Sequence, residues 1–411
     1  MESIEQMIKR LCPKGVEWKK ICEIGTIYRG FAYSKKDFTE TGTPCIHYGQ
    51  IYTRYGTFAN KTFTCVSKDL AKGKRLAKKG DLVMAVTSEN LEDVGKCLAW
   101  LGEDDILVSN HACFIRHSLN PKYLAYFLQT SYFFKYKKKI SKGVKVIDLD
   151  LNMFGDMLIP VPPLEIQSRI VEVLDKMTTL TAELKAELKA RNQQYEYYRN
   201  KLLTFSEIGE GNRQVTWKKI SEIGTVMRGT SFQKKHFTDE GTPCIHYGQI
   251  YTQYAHHVYE TISFVGDEIS RSPRRAKTGA LVMATTSENI EDVGKCIVWL
   301  GEEDVIVSND ACFIQHNLNP KYLGYLLQTE SFSTYKKKVA TGTKVIRINA
   351  DAVADFVIPV PSMQEQKRIV SILDRFEALT TDLQSGLPAE IEARRQQYEY
   401  YRNKLLTFEA V

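Results

Sequence analysis

Three short stretches of this 411-residue chain carry side chains suited to reading the edges of nucleic-acid bases or gripping phosphates, and each occurs twice. The first, GTPCIHYGQIYT, holds His47, Tyr48, Gln50 and Tyr52, and returns unchanged with His246, Tyr247, Gln249 and Tyr251. Imidazole, phenol and carboxamide groups are compact donors and acceptors that match base edges. The plainer alternative is a strand whose alternate side chains pack inward. The second stretch, TSENLEDVGK, offers Ser88, Glu89, Asn90 and Lys96, and recurs as TSENIEDVGK with Ser287, Glu288, Asn289 and Lys295. Asn can pair bidentately with adenine and Glu can accept from cytosine; the alternative is an Asx-type turn on a loop. The third, KYKKKISKGVKVI, sets Lys137, Lys138, Lys142 and Lys145 around a Gly turn, and TYKKKVATGTKVI repeats the arrangement with Lys336, Lys337 and Lys344. Such lysines can contact phosphates. A charge run is ordinarily a solvated face, and here its recurrence favours the phosphate reading.

The elements that must position these residues are themselves written twice. VEWKKICEIGTIYRG from Val16 matches VTWKKISEIGTVMRG from Val215. The offset is constant, 217 − 18 = 199 for the Trp18/Trp217 pair and 299 − 100 = 199 for Trp100/Trp299. It becomes 408 − 205 = 203 at the Phe205/Phe408 pair, so four residues enter the second copy near QSGLPAE. Repeats at such a period define the architecture before any single element does. Each copy opens with mixed text, short β-branched and aromatic runs between Gly-rich turns plus a helix-like NPKY segment, which predicts a mixed α/β globular head. It closes at IPVPP (159–163) and IPVPS (358–362), where proline bars helix.

Beyond those prolines the apolar spacing becomes helical. Ile166, Ile170, Val173, Met177, Leu180, Leu184 and Leu188 lead into Tyr195, Tyr198, Leu202 and Phe205 in a heptad-like seam of fours and threes, irregular at the extra four from Leu184 to Leu188. A helix of this length, at 1.5 Å per residue, extends about 60 Å. The second copy keeps the seam as far as Leu383, meets Gly386 and Pro388, and resumes toward Tyr398, Tyr401, Leu405 and Phe408, so its helix should be interrupted near 386–388. The segment QQYEYYRNKLLTF ends both helices letter for letter. The predicted organisation is an N-terminal segment (1–15), head 1 (16–163), arm helix 1 (164–206), a linker (207–214), head 2 (215–362) and arm helix 2 (363–411). The fold class is α+β: two homologous α/β-mixed heads joined by two long antiparallel coiled-coil helices, a pseudo-twofold internal repeat.

Composition narrows the class. With 43% hydrophobic and 26% charged residues the chain has the balance of a globular protein, and no apolar run approaches the roughly 20 residues of a membrane span. MESIEQMIKRLCPKG lacks the apolar core of a secretory signal, which predicts a cytoplasmic protein. The nine cysteines are scattered singly, without a C-x-x-C pair, and read as reduced, packed thiols; neither a metal nor a cofactor is expected. The net charge of +7 is compatible with a polyanionic partner.

The order of head, IPVPPLEIQSRIVEVLD helix, second head and IPVPSMQEQKRIVSILD helix resembles the specificity subunit of type I restriction-modification systems over nearly the whole chain. The departures are Ser362 and Met363 in place of Pro163 and Leu164, and the insertion around Gly386. The resemblance implies two target-recognition domains, each reading half of a bipartite site on double-stranded DNA. It also implies helices that dock two modification (methyltransferase) subunits, with restriction subunits in the full complex, and a chain that does no chemistry itself. The sequence agrees, for it has no N-P-P-[FY] motif and no G-x-x-x-x-G-K-[ST] loop. NPKY at Asn120 and Asn319 lacks the second proline and reads as a helix cap. Two rival classes remain on the sequence: a coiled-coil adaptor that binds protein without DNA readout, and an enzyme using His47 or the cysteines. The first would lack salt-dependent duplex binding; the second has no base or orienting partner at recognisable spacing.

Overall fold

In each head the longest apolar runs become the middle of a five-stranded sheet. A computed structural model of the chain describes residues 2–205, 215–271, 274–381 and 386–408. In head 1 the strand Leu82–Ala85 pairs antiparallel with Ala112–His117 on one side and with Cys97–Trp100 on the other. Gly25–Arg29 and the short parallel strand Phe58–Ala59 form the two edges. Leu82–Ala85 and Cys97–Trp100 are apolar at every position, as are the first four residues of Ala112–His117, because both faces are covered there. Their period-two alternation sorts the side chains: Leu82, Met84, Cys97, Ala99, Cys113 and Ile115 join one core. Val83, Ala85, Leu98, Trp100, Ala112 and Phe114 join another. Head 2 repeats the design with Gly224–Arg228, Ala311–His316, Leu281–Ala284, Cys296–Trp299 and His257–Val258.

The chain divides into two compact units, Met1–Lys185 with Glu390–Val411, and Ala186–Ala389. Each holds a head, the start of that head's own arm helix and the end of the other arm helix. Arm helix 1 runs unbroken over Leu164–Leu203, 40 residues. Arm helix 2 comprises Met363–Thr381 and Leu387–Leu406, with Gly386 in a bend and Pro388 in the first turn of the second segment, where proline is tolerated. Each arm starts against its head through one glutamine. Gln167, 2% exposed, accepts from the Asn120 backbone N–H at 2.8 Å and donates to the Pro162 carbonyl at 2.7 Å. Gln366 repeats both bonds with Asn319 and Pro361, each at 2.9 Å. Asn120 and Asn319 in turn cap the helices Pro121–Phe127 and Pro320–Leu326, so NPKY is a cap and first turn.

The repeated segment ending each arm docks on a head. In the second unit Tyr195 and Leu203 enter the head 2 core, Arg199 donates to Gln328, and the Asn200 side-chain oxygen accepts from the Glu330 N–H at 2.9 Å. In the first unit Leu406 and Phe408 enter the head 1 core, Tyr398 donates to Gln129, and Asn403 accepts from the Ser131 N–H at 2.8 Å. Of the seam expected at Tyr195, Tyr198, Leu202 and Phe205, Tyr195 and Tyr198 do meet arm helix 2, their rings 6.4 and 5.6 Å from that of Phe376, but the face that is most buried is a different one. Tyr198 and Tyr401 are 36% and 38% exposed, and the inward face passes through Arg199 or Arg402 to Leu203 or Leu406. Leu202, Phe205 and Leu405 flank that face, partly buried. The helix is turned by the polar side chains that bind the head's backbone and Gln129 or Gln328, an orientation that apolar spacing does not encode.

Candidate nucleic-acid interface

GTPCIHYGQIYT is a strand, Thr43–Ile46, that turns into a short helix, Tyr48–Thr53. The turn comes from a capping box built on a histidine. The His47 Nδ1 atom accepts from the Gly49 N–H at 3.3 Å, and the Gln50 side-chain oxygen accepts from the His47 N–H at 3.0 Å. Gln50 spends its amide on Thr64 at 3.1 Å, and Gln249 spends its own on Ser263 at 2.7 Å. His246 and Gln249 form the same box. All four side chains are buried and bonded within the head, the histidines through Nδ1 and the glutamines through both ends of the amide, which corrects their assignment as base readers. Tyr52 and Tyr251 donate to the carbonyls of Thr87 and Thr286, and burial raises both phenols well above their ordinary range. They brace the next stretch. Tyr48 remains half-buried, its ring 4.5 Å from His47 and 4.9 Å from His111; Tyr247 keeps the contact with its own histidine, His246, at 4.6 Å.

The braced stretch is the strand Thr87–Ser88, which pairs with Ile147–Leu149, itself paired with Ser141–Lys142. This small sheet brings the TSEN stretch and the lysine hairpin together beside the helix Tyr48–Thr53. In head 2, Thr286–Ser287 pairs with Ile346–Arg347. The loop after it is the Asx-type turn. Asn90 accepts from the Asp93 N–H at 2.8 Å and donates to the Asp93 carboxylate at 3.0 Å; Asn289 does the same with Asp292, at 2.8 Å for both bonds. Ser88 and Ser287 are buried and accept from the Asn90 and Asn289 N–H groups at 3.4 Å. Lys96 and Lys295 pair with Asp93 and Asp292 at 2.5 Å. Glu89 and Glu288 are exposed.

The lysines divide sharply. Lys137 is 5% exposed and donates to the carbonyls of Glu92 at 3.0 Å and Val94 at 2.7 Å; burial lowers its ammonium to about 8. Lys336 donates to Glu291 and Val293 in the same way, and burial lowers it too. This corrects the phosphate role for both residues: they tie the TSEN loop to the helices Ser131–Ile140 and Glu330–Val339. Their recurrence records packing. Lys138, Lys142, Lys145, Lys337 and Lys344 are exposed, Lys142 pairing with Asp150 at 3.2 Å. The hairpin that carries them turns at Gly143, φ +113°, where a Cβ would sit 1.9 Å from the Val146 carbonyl oxygen, so glycine alone fits. Its tip adds Val144, 95% exposed.

Three residues that sequence reasoning did not single out adjoin this surface: His111, Asp148 and, in head 2, Arg347. Subtracting the two copies at the constant offset would have revealed them as exposed differences. Six of the cysteines are buried thiols. Burial pushes the thiols of Cys97, Cys113, Cys244, Cys296 and Cys312 up to about 12, and His47 is occupied as a helix cap.

The surface is thus made twice from one pattern, and a family model described as the type I restriction modification DNA specificity domain matches twice, over residues 13–191 and 212–393. The chain belongs to that family. A curated relative, the Escherichia coli EcoR124I/EcoR124II type I restriction enzyme specificity subunit, is 33% identical over 270 residues, 63% of this chain and 65% of that protein. The chain therefore aligns with just under two thirds of that specificity subunit's length. Among solved structures, one concerned with complex assembly and conformational transition of the type I R-M system superposes with a TM-score of 0.65 at 14% identity, covering 96% of this chain and 98% of that one. The HsdS subunit from Thermoanaerobacter tengcongensis gives 0.52 at 17%, covering 96% and 97%. At those identities the likeness establishes the shared fold, two heads with long helices, and no more. Among the described residues no helix of this specificity-family chain is long and apolar enough to cross a membrane.

Proposed function

We propose that the chain is the sequence-reading, non-catalytic subunit of a type I restriction-modification assembly in the cytoplasm. Each head, 16–163 and 215–362, contacts one half of a bipartite, near-palindromic site on duplex DNA. The observation that carries this reading is the double occurrence of one exposed surface, from the same helix, braced strand and basic hairpin, in a chain whose family model also matches twice. Phosphate contacts fall to the exposed lysines Lys138, Lys142, Lys145, Lys337 and Lys344, with Lys96 and Lys295 at the rim. Tyr48, Tyr247, Glu89, Glu288, Asn90 and Asn289 remain candidates for base edges.

The arm helices dock two modification subunits, joined by restriction subunits in the complete enzyme. Supporting this, the repeated tail presents Tyr197 and Tyr400, 59% and 61% exposed, as the same outward ring in both units. Large exposed aromatics are the side chains that anchor protein interfaces. The test is methylome sequencing of the host with and without this gene. A bipartite methylated motif present only with the gene is expected, and a methylome that does not respond to the gene refutes the assignment.

A further inference from the structure

We propose that the two heads read the same bases except where one pair of positions reverses its hydrogen-bonding character: His111 with Asp148 in head 1, Asp310 with Arg347 in head 2. The inference rests on the reading of both heads as DNA-reading domains. The positions correspond, since 310 − 111 = 199 and 347 − 148 = 199. They surround a threonine common to both heads. In head 1 the Thr87 hydroxyl donates to Asp148 Oδ1 at 2.5 Å, and His111 Nδ1 lies 3.3 Å from the same oxygen. A hydroxyl has one proton, and Asp148 takes it. The His111 contact must then be Nδ1–H donating to the threonine oxygen. The second carboxylate oxygen of the exposed Asp148 is the acceptor that head 1 presents.

Head 2 keeps the threonine and changes what surrounds it. The Thr286 hydroxyl donates to Asp310 Oδ1 at 3.2 Å, from the place His111 occupies in head 1. The strand register sets Arg347 opposite Thr286, as it sets Asp148 opposite Thr87. Arg347 is exposed and carries a donor fork where head 1 has a carboxylate. Guanine shows two major-groove acceptors, N7 and O6, whereas cytosine N4 and adenine N6 are donors. The half-site of head 2 should therefore hold a guanine where Arg347 reaches, and that of head 1 a cytosine or adenine. The buried neighbours that the heads share, His47, Gln50 and Ser88, are bonded within their own head. That frame is common, while of the exchanged residues His111, Asp148 and Arg347 are exposed and Asp310 is half-buried.

The experiment maps the methylated motif in hosts expressing the modification subunits with the wild-type chain, with H111D/D148R, or with D310H/R347D. The wild-type half-sites should differ at the position described. H111D/D148R should convert the first half-site to the second, changing the preferred base there by roughly ten- to a hundredfold, and D310H/R347D should do the reverse. An unchanged, fully methylated motif in both variants overturns the inference and leaves the DNA-reading assignment standing. Absence of any bipartite motif with the wild-type chain overturns that assignment instead. Loss of methylation at all sites by both variants also overturns the inference, because residues exchanged between two copies of one frame should redirect reading. If one variant does not assemble, its reciprocal decides, and failure of both to assemble counts against a reading role.

Discussion

Replacing Gln167 by leucine removes the two hydrogen bonds that this side chain makes between arm helix 1 and head 1 while nearly conserving volume. The side chain is 2% exposed, and its partners, the Asn120 N–H and the Pro162 carbonyl, lose their bonds at 2.8 and 2.7 Å. Each buried backbone group left unsatisfied costs about 1–3 kcal/mol, so Gln167→Leu should destabilise the first unit by about 2–6 kcal/mol. With a urea slope of about 2.5 kcal/mol/M, a loss near 4 kcal/mol moves the midpoint down by about 1.5 M. Gln366→Leu should cost the second unit a similar amount, since its two bonds are both 2.9 Å. The assay is urea unfolding of the wild type and both variants, followed by tryptophan fluorescence and by hydrogen exchange at the helix following each asparagine cap. Midpoints within about 0.2 M of wild type in both variants would refute the argument, because the groups bridged by glutamine would then be reached by water.

Duplex binding should respond to Lys142→Ala and Lys145→Ala with a salt slope shallower by about one per lysine, and Lys137→Ala should leave that slope unchanged; titrations between low and physiological salt read the difference. Leu203→Ala, at a site 4% exposed, should lower stability by about 2–5 kcal/mol, and Tyr198→Ala by clearly less, measured by denaturant unfolding. At pH 8 the exposed Cys22 should react with iodoacetamide in the native protein, while Cys97, Cys113, Cys244, Cys296 and Cys312, their thiols held near 12, should label only on unfolding; mass spectrometry of the alkylated peptides distinguishes them.

The duplication, the proline stops and the helical arms stand in the sequence because each is local text repeated at a fixed interval. The central strands are equally legible, since Leu82–Ala85 and Cys97–Trp100 are apolar throughout and bounded by turns. Two other readings failed for a shared reason. His47 is an unusual helix cap, so the box with Gln50 three residues on gave no ordinary signal and the segment read as strand. Lys137 recurs as Lys336, and recurrence suggested function, yet both sit where an ammonium can satisfy two carbonyls. A repeat preserves packing as faithfully as it preserves a binding site. The His111–Thr87–Asp148 group was invisible for a different reason: its members lie 24 and 61 positions apart, and only the strand pairing gathers them.

The docking of the last helix on the first head fixes the order in which the chain can finish folding. Head 2, with the end of arm helix 1 and the start of arm helix 2, lies in one continuous stretch, Ala186–Ala389. Head 1 shares its core with Leu406 and Phe408, some 232 residues after Leu174 of the same core (406 − 174 = 232). At a translation rate of about 5–20 residues per second, the ribosome needs roughly 10–50 s to supply them. Through that interval the first head to emerge has an open flank of apolar side chains, and the second head can be complete before it. A chain released early, short of Glu390, would keep a sound second unit beside an unsealed first one, so quality control has a ready mark for unfinished copies.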